Sequence, residues 1–518
     1  MAEPTLAPLL TDGQAASLRE ALQRADYTVE SVLALVGDVG QAGLQRNSTV
    51  PALHQIGDDR GALACLVRLF VLQQPLTALH AARPFGQDLF EHLLAAGILE
   101  RTGAGDMVRA GVDLRPVASP DDEATGWVVS DLHPGLDQRV APMRPDYVLG
   151  LSPASTTLAQ LVHRAPVGSA LDLGTGSGIQ SLHLASHVER IVATDLNPRA
   201  LQHARLTLQL AGRDRVELRE GSLYEPVAGE RFDLIVTNPP YVMSPPTGER
   251  LVYREGSFAG DGLVEAVIRD APAHLNPGGA LHVLGNWANL AGLDTTERLA
   301  GWVEGSGADL WVIERERLDI FEYIEMWLAD AGLSTSHHYG PRYREWLGYF
   351  TDLGIESVSM GWITLTMAGR ETPDVTVESW PWQVEQPVGD ALGRRSRDLT
   401  AAGSSEADLL ATAWTMRDDV IEESSGRPGA EGPEHLVLRQ TSGLRRAIEC
   451  DTATAGVLGA CDGELTLGQI LPAVAHLLEV DAAELAADVL PRVREAISQG
   501  FLNQGFLDQG FLDRGGLA

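Results

Sequence analysis

Lysine is absent from this 518-residue chain: all 39 basic residues are arginine, against 71 acidic ones, a formal net charge of −32. A surface this acidic repels phosphate backbones and anionic lipid, which disfavours large nucleic acids and membrane surfaces as partners. Cysteine is nearly absent too. Cys65, Cys450 and Cys461 lack metal-ligand spacing, so neither a disulfide scaffold nor a zinc site is expected. No apolar run approaches the roughly 20 residues that span a bilayer, and the opening MAEPTLAPLLTDGQ has no basic segment or cleavable apolar stretch. The expectation is a cytoplasmic protein without a membrane partner. A hydrophobic content of 44% supplies enough apolar side chains for several cores, and the length suggests roughly three domains.

Residues 1–116 read as an N-terminal helical, winged-helix-like domain. Thr11-Asp12 caps an amphipathic run to Ala25, Ala62–Leu72 is apolar nearly all round, and a helix ending near Gly97 precedes two β-prone runs flanking Gly103-Ala104-Gly105. Residues 117–150, with the apolar Trp127–Val129, read as a β extension into the next domain. Across 151–370 seven short apolar strands alternate with helices: Ala170–Leu173, Arg190–Thr194, Val216–Arg219, Phe232–Thr237, Ala280–Leu284, Leu310–Ile313 and Met360–Met367. That alternation predicts βαβ units and a mostly parallel sheet, with 319–353 as a helical insertion. Residues 371–434, containing Trp380-Pro381-Trp382 and the Pro/Gly/Ser/Glu-rich Glu422–Glu434, read as a loose connecting segment and linker. Residues 435–500 read as a second winged-helix-like module, and 501–518 as a frayed, repetitive tail on a Gln-Gly-Phe-Leu-Asn/Asp pentad.

Two passages carry chemistry. In ALDLGTGSGIQSLHL, Asp172 ends a strand and is followed by Gly174, Thr175, Gly176 and Gly178 in the turn to a helix. Glycines there let the backbone approach a ligand at the positive end of that helix. Asp195 ends the next strand, before Leu196, where a carboxylate can accept both hydroxyls of a ribose. The acid on the entering strand suits the cationic, amino-acid-bearing S-adenosylmethionine better than an anionic dinucleotide, whose loop reads GxGxxG. In RFDLIVTNPPYVMSPP a strand runs into Asn238-Pro239-Pro240-Tyr241. The Asn238 side-chain oxygen and the Pro239 carbonyl can accept both hydrogens of a planar NH2 group, on a backbone stiffened by two prolines. Tyr241 can stack on or flank the planar π system.

These motifs resemble those of class I S-adenosylmethionine-dependent methyltransferases over residues 152 to about 330, and most of all the HemK family, which methylates the glutamine side-chain amide of translation release factors. NPPYV followed by Pro245-Pro246, DLNPRAL (Asp195–Leu201), and Pro153, Ala154 and Thr157 in the segment entering the domain are similar to its archaeal and eukaryotic branch. Acidic residues of the family in that entering segment are serines or a threonine here. Many relatives also carry an acid for the adenine amino group where this chain has Ser222 and Leu223, leaving Ser222 or backbone to hold it. The resemblance implies an α/β fold with a Rossmann-like class I methyltransferase core, a seven-stranded mostly parallel sheet, and flanking winged-helix-like domains. It implies S-adenosyl-L-methionine as cofactor and a translation-related protein as partner. The NPPY turn also serves adenine-N6 and other base-amine methyltransferases, so rRNA, tRNA or DNA is the alternative acceptor. A non-enzymatic cofactor-binding docking protein is a further reading. Arg254, Glu255 and Asp261, after the catalytic strand, are candidates for substrate contact or solvated loop charges. His337-His338 read as a loop pair and Arg445-Arg446 as too small a patch for nucleic acid.

Overall fold

A computed structural model of the chain describes residues 6–103, 106–122, 124–138, 144–213, 215–246, 258–334, 336–428 and 434–504. The chain folds into two compact units, Met1–Ala159 with Ala165–Pro381, and Gln160–Arg164 with Trp382–Ala518. Among the described residues no helix is long and apolar enough to cross a membrane.

The first unit opens with α1 (Asp12–Arg24), α2 (Val29–Gln45), α3 (Val50–Ile56) and α4 (Ala62–Leu66), the last running on as one π-helical turn. Thr11 and Gln14 cap α1 reciprocally, each side chain accepting from the other's backbone N–H at 3.3 and 3.0 Å. Then come β1 (Leu76–Thr77), α5 (Ala78–Ala82), α6 (Gln87–Ala95), β2 (Leu99–Arg101) and β3 (Met107–Ala110), the strands ordered β1-β3-β2. From α4 onward this order of elements and strands is that of a winged helix; Ala104 and Gly105 of the expected turn lie outside the described residues. A hairpin, β4 (Asp113–Ala118) and β5 (Thr125–Ser130), leads towards α7 (Pro153–Leu161).

The central sheet comprises β6 (Val167–Leu173), β7 (Val188–Asp195), β8 (Glu217–Glu220), β9 (Phe232–Thr237), β10 (Leu275–Leu290), β11 (Asp309–Asp319), β12 (Ile355–Thr366) and β13 (Val375–Ser379). Their order is β13-β11-β12-β10-β9-β6-β7-β8, parallel except for β12, which runs antiparallel to β10 and β11. Between the strands lie α8 (Ile179–Leu184), α9 (Pro198–Leu210), α10 (Gly262–Asp270), α11 (Thr295–Ala300), α12 (Ile320–Asp330) and α13 (Tyr339–Asp352). The chain turns from β6 to β7 on one side and later to β9 on the other. A ligand crevice is expected at such a switch point, at the carboxyl ends of the strands.

The N-terminal helices share a core with the β4–β5 hairpin and with α9. Leu206 and Leu210 of α9 are buried with Leu18, Leu22 and Trp127. The fully buried Tyr27 donates its hydroxyl to Leu114 O at 2.7 Å, and Trp127 Nε1 donates to Tyr27 O at 2.8 Å.

Three expectations are corrected. The sheet has eight strands, because β13 forms inside the stretch read as a loose connection. β10, β11 and β12 run well beyond their apolar centres, since the polar residues that ended the apolar pattern satisfy one another: Asn289 Nδ2 donates to Ser357 and Ser359, and Ser359 to Glu314. The second unit differs from a winged helix. After α14 (Gly389–Ala402), α15 (Glu406–Ala411) and β14 (Trp414–Met416), the antiparallel strands β15 (Val420–Ser425), β16 (His435–Gln440) and β17 (Ala447–Cys450) precede α16 (Thr452–Gly459), α17 (Leu467–Leu478) and α18 (Ala482–Ser498). The first pentad is not frayed: Phe501 and Leu502 are buried, and β18 (Leu502–Gln504) pairs with β14. The later pentads lie outside the described residues.

Candidate active site

Register brings Asp172, Asp195 and Asn238 to one rim. Leu173 pairs with Thr194 on β7 and Thr237 on β9, so the three strands end level. At that rim lies a cavity of about 380 Å³ lined by Asp172, Gly174, Thr175, Gly176, Asp195, Leu196, Ser222, Leu223, Asn238, Pro239 and Pro240.

Asp172 is buried and held by its own turn. One carboxylate oxygen, Oδ2, accepts from Thr175 Oγ1 at 2.6 Å, Ser181 N at 2.9 Å and Ser181 Oγ at 2.7 Å. Burial pushes its pKa up against those three donors. Asp195 accepts from Gly176 N and Asn197 N at 2.8 Å each, one on each oxygen. Burial raises its pKa to about 6, with the Asn197 and Gly176 amides pulling the other way. Gly174 and Gly176 have φ of +75° and +56°, and a Cβ on either would meet no atom within 4 Å. They supply the left-handed turn and leave the space above it open. Gly178 plays a different part. Its Cβ would stand 3.1 Å from Ala204 Cα, so it lets α8 approach α9 and does not line the cavity.

Just past the end of β9 the Asn238 side-chain oxygen is buried and has no hydrogen-bond partner. A stranded buried acceptor costs about 1–3 kcal/mol unless something donates to it. Tyr241, one residue past the cavity-lining prolines, packs between two apolar clusters instead of facing the space. The exposed ring at that end is Phe258. Asp261 also faces away from acceptor duty. Its carboxylate accepts from Ala288 N at 2.7 Å and Arg298 Nη2 at 2.5 Å, tying α10 to the sheet. Arg254 and Glu255 lie outside the described residues.

Sequence reasoning missed a third wall. Tyr147, Val148, Leu149 and Gly150 line the cavity, as do Ser152, Ser155 and Gln180. DLNPRAL holds that wall. Asn197 caps α9 through Arg199 N and donates Nδ2 to Asp146 O, both at 3.0 Å, while Arg199 bonds Asp131 and approaches Asp146 at 3.5 Å. Asp131 and Asp146 both precede the apolar YVLGL, and nothing local tied them to Arg199. His337 and His338 are exposed, with rings 3.8 Å apart, and no group of three or more His, Cys, Asp or Glu among the described residues is placed to hold a metal.

A family model described as Methyltransferase small domain matches residues 150–291. Two others, each a Domain of unknown function (DUF7059 and DUF7782), match 24–111 and 393–504. A release factor glutamine methyltransferase of Deinococcus radiodurans is 31% identical over 261 residues, 44% of this chain and 87% of that protein. The chain belongs to the release factor glutamine methyltransferase family. A member from Xylella fastidiosa is 39% identical over 144 residues, 26% of this chain and 52% of that protein. A ribosomal protein uL3 glutamine methyltransferase of Bradyrhizobium diazoefficiens is 38% identical over 130 residues, 23% and 41% respectively. The chain thus spans about half the length of the first curated relatives it matches. The family match falls on the rim just described, and the shared core of α9 with α1 is additional to it.

Proposed function

We propose that this chain is an S-adenosylmethionine-dependent N-methyltransferase acting on the side-chain amide of a glutamine in a translation-related protein, in the cytoplasm. The observation that carries the reading is the unpartnered Asn238 oxygen in the cavity that Asp172 and Asp195 also line. An enclosed acceptor, with a proline carbonyl next to it, fits a planar NH2 group and little else. The open space above Gly174 and Gly176 fits the cofactor. When bound, S-adenosylmethionine supplies an electrophilic methyl group on a sulfonium.

This chain's own residues do the rest. Asp195 accepts the two ribose hydroxyls, the Gly174–Gly176 backbone cradles the amino-acid end, and Asp172 offers its remaining carboxylate oxygen to the ammonium. Ser222 and Leu223 flank the adenine. Asn238 Oδ1 and the Pro239 carbonyl would hold both N–H bonds of the amide, leaving its nitrogen lone pair free for the methyl group that the cofactor would supply, and one amide proton would leave to solvent.

Protein is favoured over nucleic acid by charge and by the glutamine methyltransferases among the relatives, which outweigh the ribosomal RNA methyltransferases also among them. The exposed face of α6, the helix a winged helix would present to a duplex, carries Gln87, Asp88, Glu91 and His92 and no arginine. The test is incubation with labelled cofactor and extract from a deletion strain, followed by separation of protein from nucleic acid. Label confined to RNA or DNA overturns the glutamine reading.

A further inference from the structure

The insertion α12–α13 is joined to the acceptor side of the cavity by two tyrosine hydroxyls. Tyr323, wholly buried on α12, accepts at its hydroxyl from Met243 N at 3.1 Å, five residues past Asn238, and from Asn286 Nδ2 at 3.3 Å. Tyr349 on α13 accepts from Gly260 N at 2.8 Å, two residues past the cavity-lining Phe258. Val242 and Met243 are themselves buried among Tyr323, Trp346 and Phe350. Both strands of chain leaving the acceptor wall are therefore pinned by a tyrosine hydroxyl of one helical pair.

Pro239 and Pro240 fix two consecutive φ angles near −65°, which narrows the paths open to the chain between Asn238 and Met243. Gly260 has φ +54°, and the bond from its N–H to Tyr349 restrains a residue that is otherwise the most permissive in the chain. The buried Met243 amide and the partly buried Gly260 amide keep their partners because an amide left unpaired away from water costs more than the bond itself contributes.

We infer that the α12–α13 insertion is the positioning element for the methyl acceptor, setting Asn238 and Phe258 through the hydroxyls of Tyr323 and Tyr349. The inference rests on the methyltransferase reading of the cavity. Neither tyrosine lines the cavity, so both are positioning residues and not catalytic ones.

Tyr323→Phe and Tyr349→Phe, made singly and together in the full chain, remove only the hydroxyls. Two cofactor analogues read the two sides of the cavity without needing the acceptor. S-adenosylhomocysteine reports the cofactor side, and sinefungin, which carries an amine where the transferred methyl would be, also reports Asn238. The expected result is an unchanged affinity for S-adenosylhomocysteine (within about twofold) while the preference for sinefungin falls about five- to tenfold in the double variant. Amide hydrogen exchange should accelerate at Met243 and Gly260 and stay slow along β9. Accelerated exchange with an unchanged sinefungin preference, a parallel loss for both analogues, or no sinefungin preference in the unsubstituted chain overturns the inference. Failure of the unsubstituted chain to bind either analogue instead removes the methyltransferase reading, and the inference with it. Should the double variant fail to fold, Tyr349→Phe on the half-buried residue alone gives the same comparison.

Discussion

Replacing Asp195 with alanine separates what the fold needs from what the cavity needs. Burial holds the Asp195 pKa near about 6 instead of 3.8, and that direction is a stability cost. Below pH 3.8 the carboxyl is protonated in both folded and unfolded chains. As pH rises from there, the unfolded chain loses its proton first, so stability falls until the folded group ionises near about 6 and stays reduced above it. The full difference is worth about 3 kcal/mol, reduced to about 1–2 because the group is partly open to the solvent-filled cavity. Alanine relieves that cost and forfeits the bonds from Gly176 N and Asn197 N, about 1 kcal/mol each. The two nearly cancel, so the melting temperature at pH 7.5 should move by only a few degrees. Cofactor affinity has no such offset. Losing two hydroxyls' bonds to a charged acceptor costs about 1.5–3 kcal/mol, roughly ten- to 150-fold in Kd. Calorimetry with S-adenosylmethionine and a thermal melt of the ligand-free protein measure the two quantities. In the unsubstituted chain, affinity should also fall as pH drops through about 6, where Asp195 gains a proton. Unchanged affinity in Asp195→Ala, or equal affinity of the unsubstituted chain for NAD, would refute the reasoning.

Three other perturbations are specific. Asn238→Ala should leave cofactor Kd within about twofold and lower turnover about 10²-fold or more, the order seen when one preorganised polar contact to a reacting group is removed; single-turnover transfer reads it. Arg199→Ala takes the cation from Asp131 beside the cavity wall, while Asp146 keeps Arg144, which should destabilise the chain by about 2–4 kcal/mol and weaken cofactor binding, as read by urea titration with and without S-adenosylhomocysteine. Leu206→Ala should cost about 2–5 kcal/mol and lower the melting of the N-terminal helices and of α9 together, because both share that core. Far-ultraviolet circular dichroism and tryptophan fluorescence should shift in step, and a helix transition that separates from the fluorescence one would contradict the shared core.

Legibility in the sequence followed how local the signal was. β6, β7 and β9 were readable because strands buried on both faces are continuous apolar runs, and Asp172, Asp195 and Asn238 were readable because each ends such a run. The outer strands were under-read for the opposite reason. Asn289, Glu314 and Ser359 look like loop residues along the chain, and only pairing across β10, β11 and β12 gives them partners. Tyr241 was assigned to the cavity by motif, yet its side chain follows the apolar pull of two clusters. Asp261 looked like a loop charge until the fold brought Arg298 to it. The Tyr147–Gly150 wall was invisible because its anchor, Arg199, lies 68 positions from Asp131. The glycine turn illustrates both cases. Gly174 and Gly176 line the cavity with open space above them, whereas Gly178 serves helix packing that no spacing rule distinguishes.

The central claim, methylation of a glutamine amide held by Asn238, is tested most directly by the chemistry of the product. Protein from a deletion-strain extract, labelled by this chain with methyl-labelled cofactor, is hydrolysed in acid. A methylated side-chain amide breaks at its C–N bond to give glutamic acid and methylammonium, which leaves as volatile methylamine once the hydrolysate is made alkaline. The account predicts that the protein label leaves as methylamine, and that Asn238→Ala abolishes it while the variant still binds the cofactor. Label that stays with a non-volatile amino acid, or that appears only in nucleic acid, contradicts it.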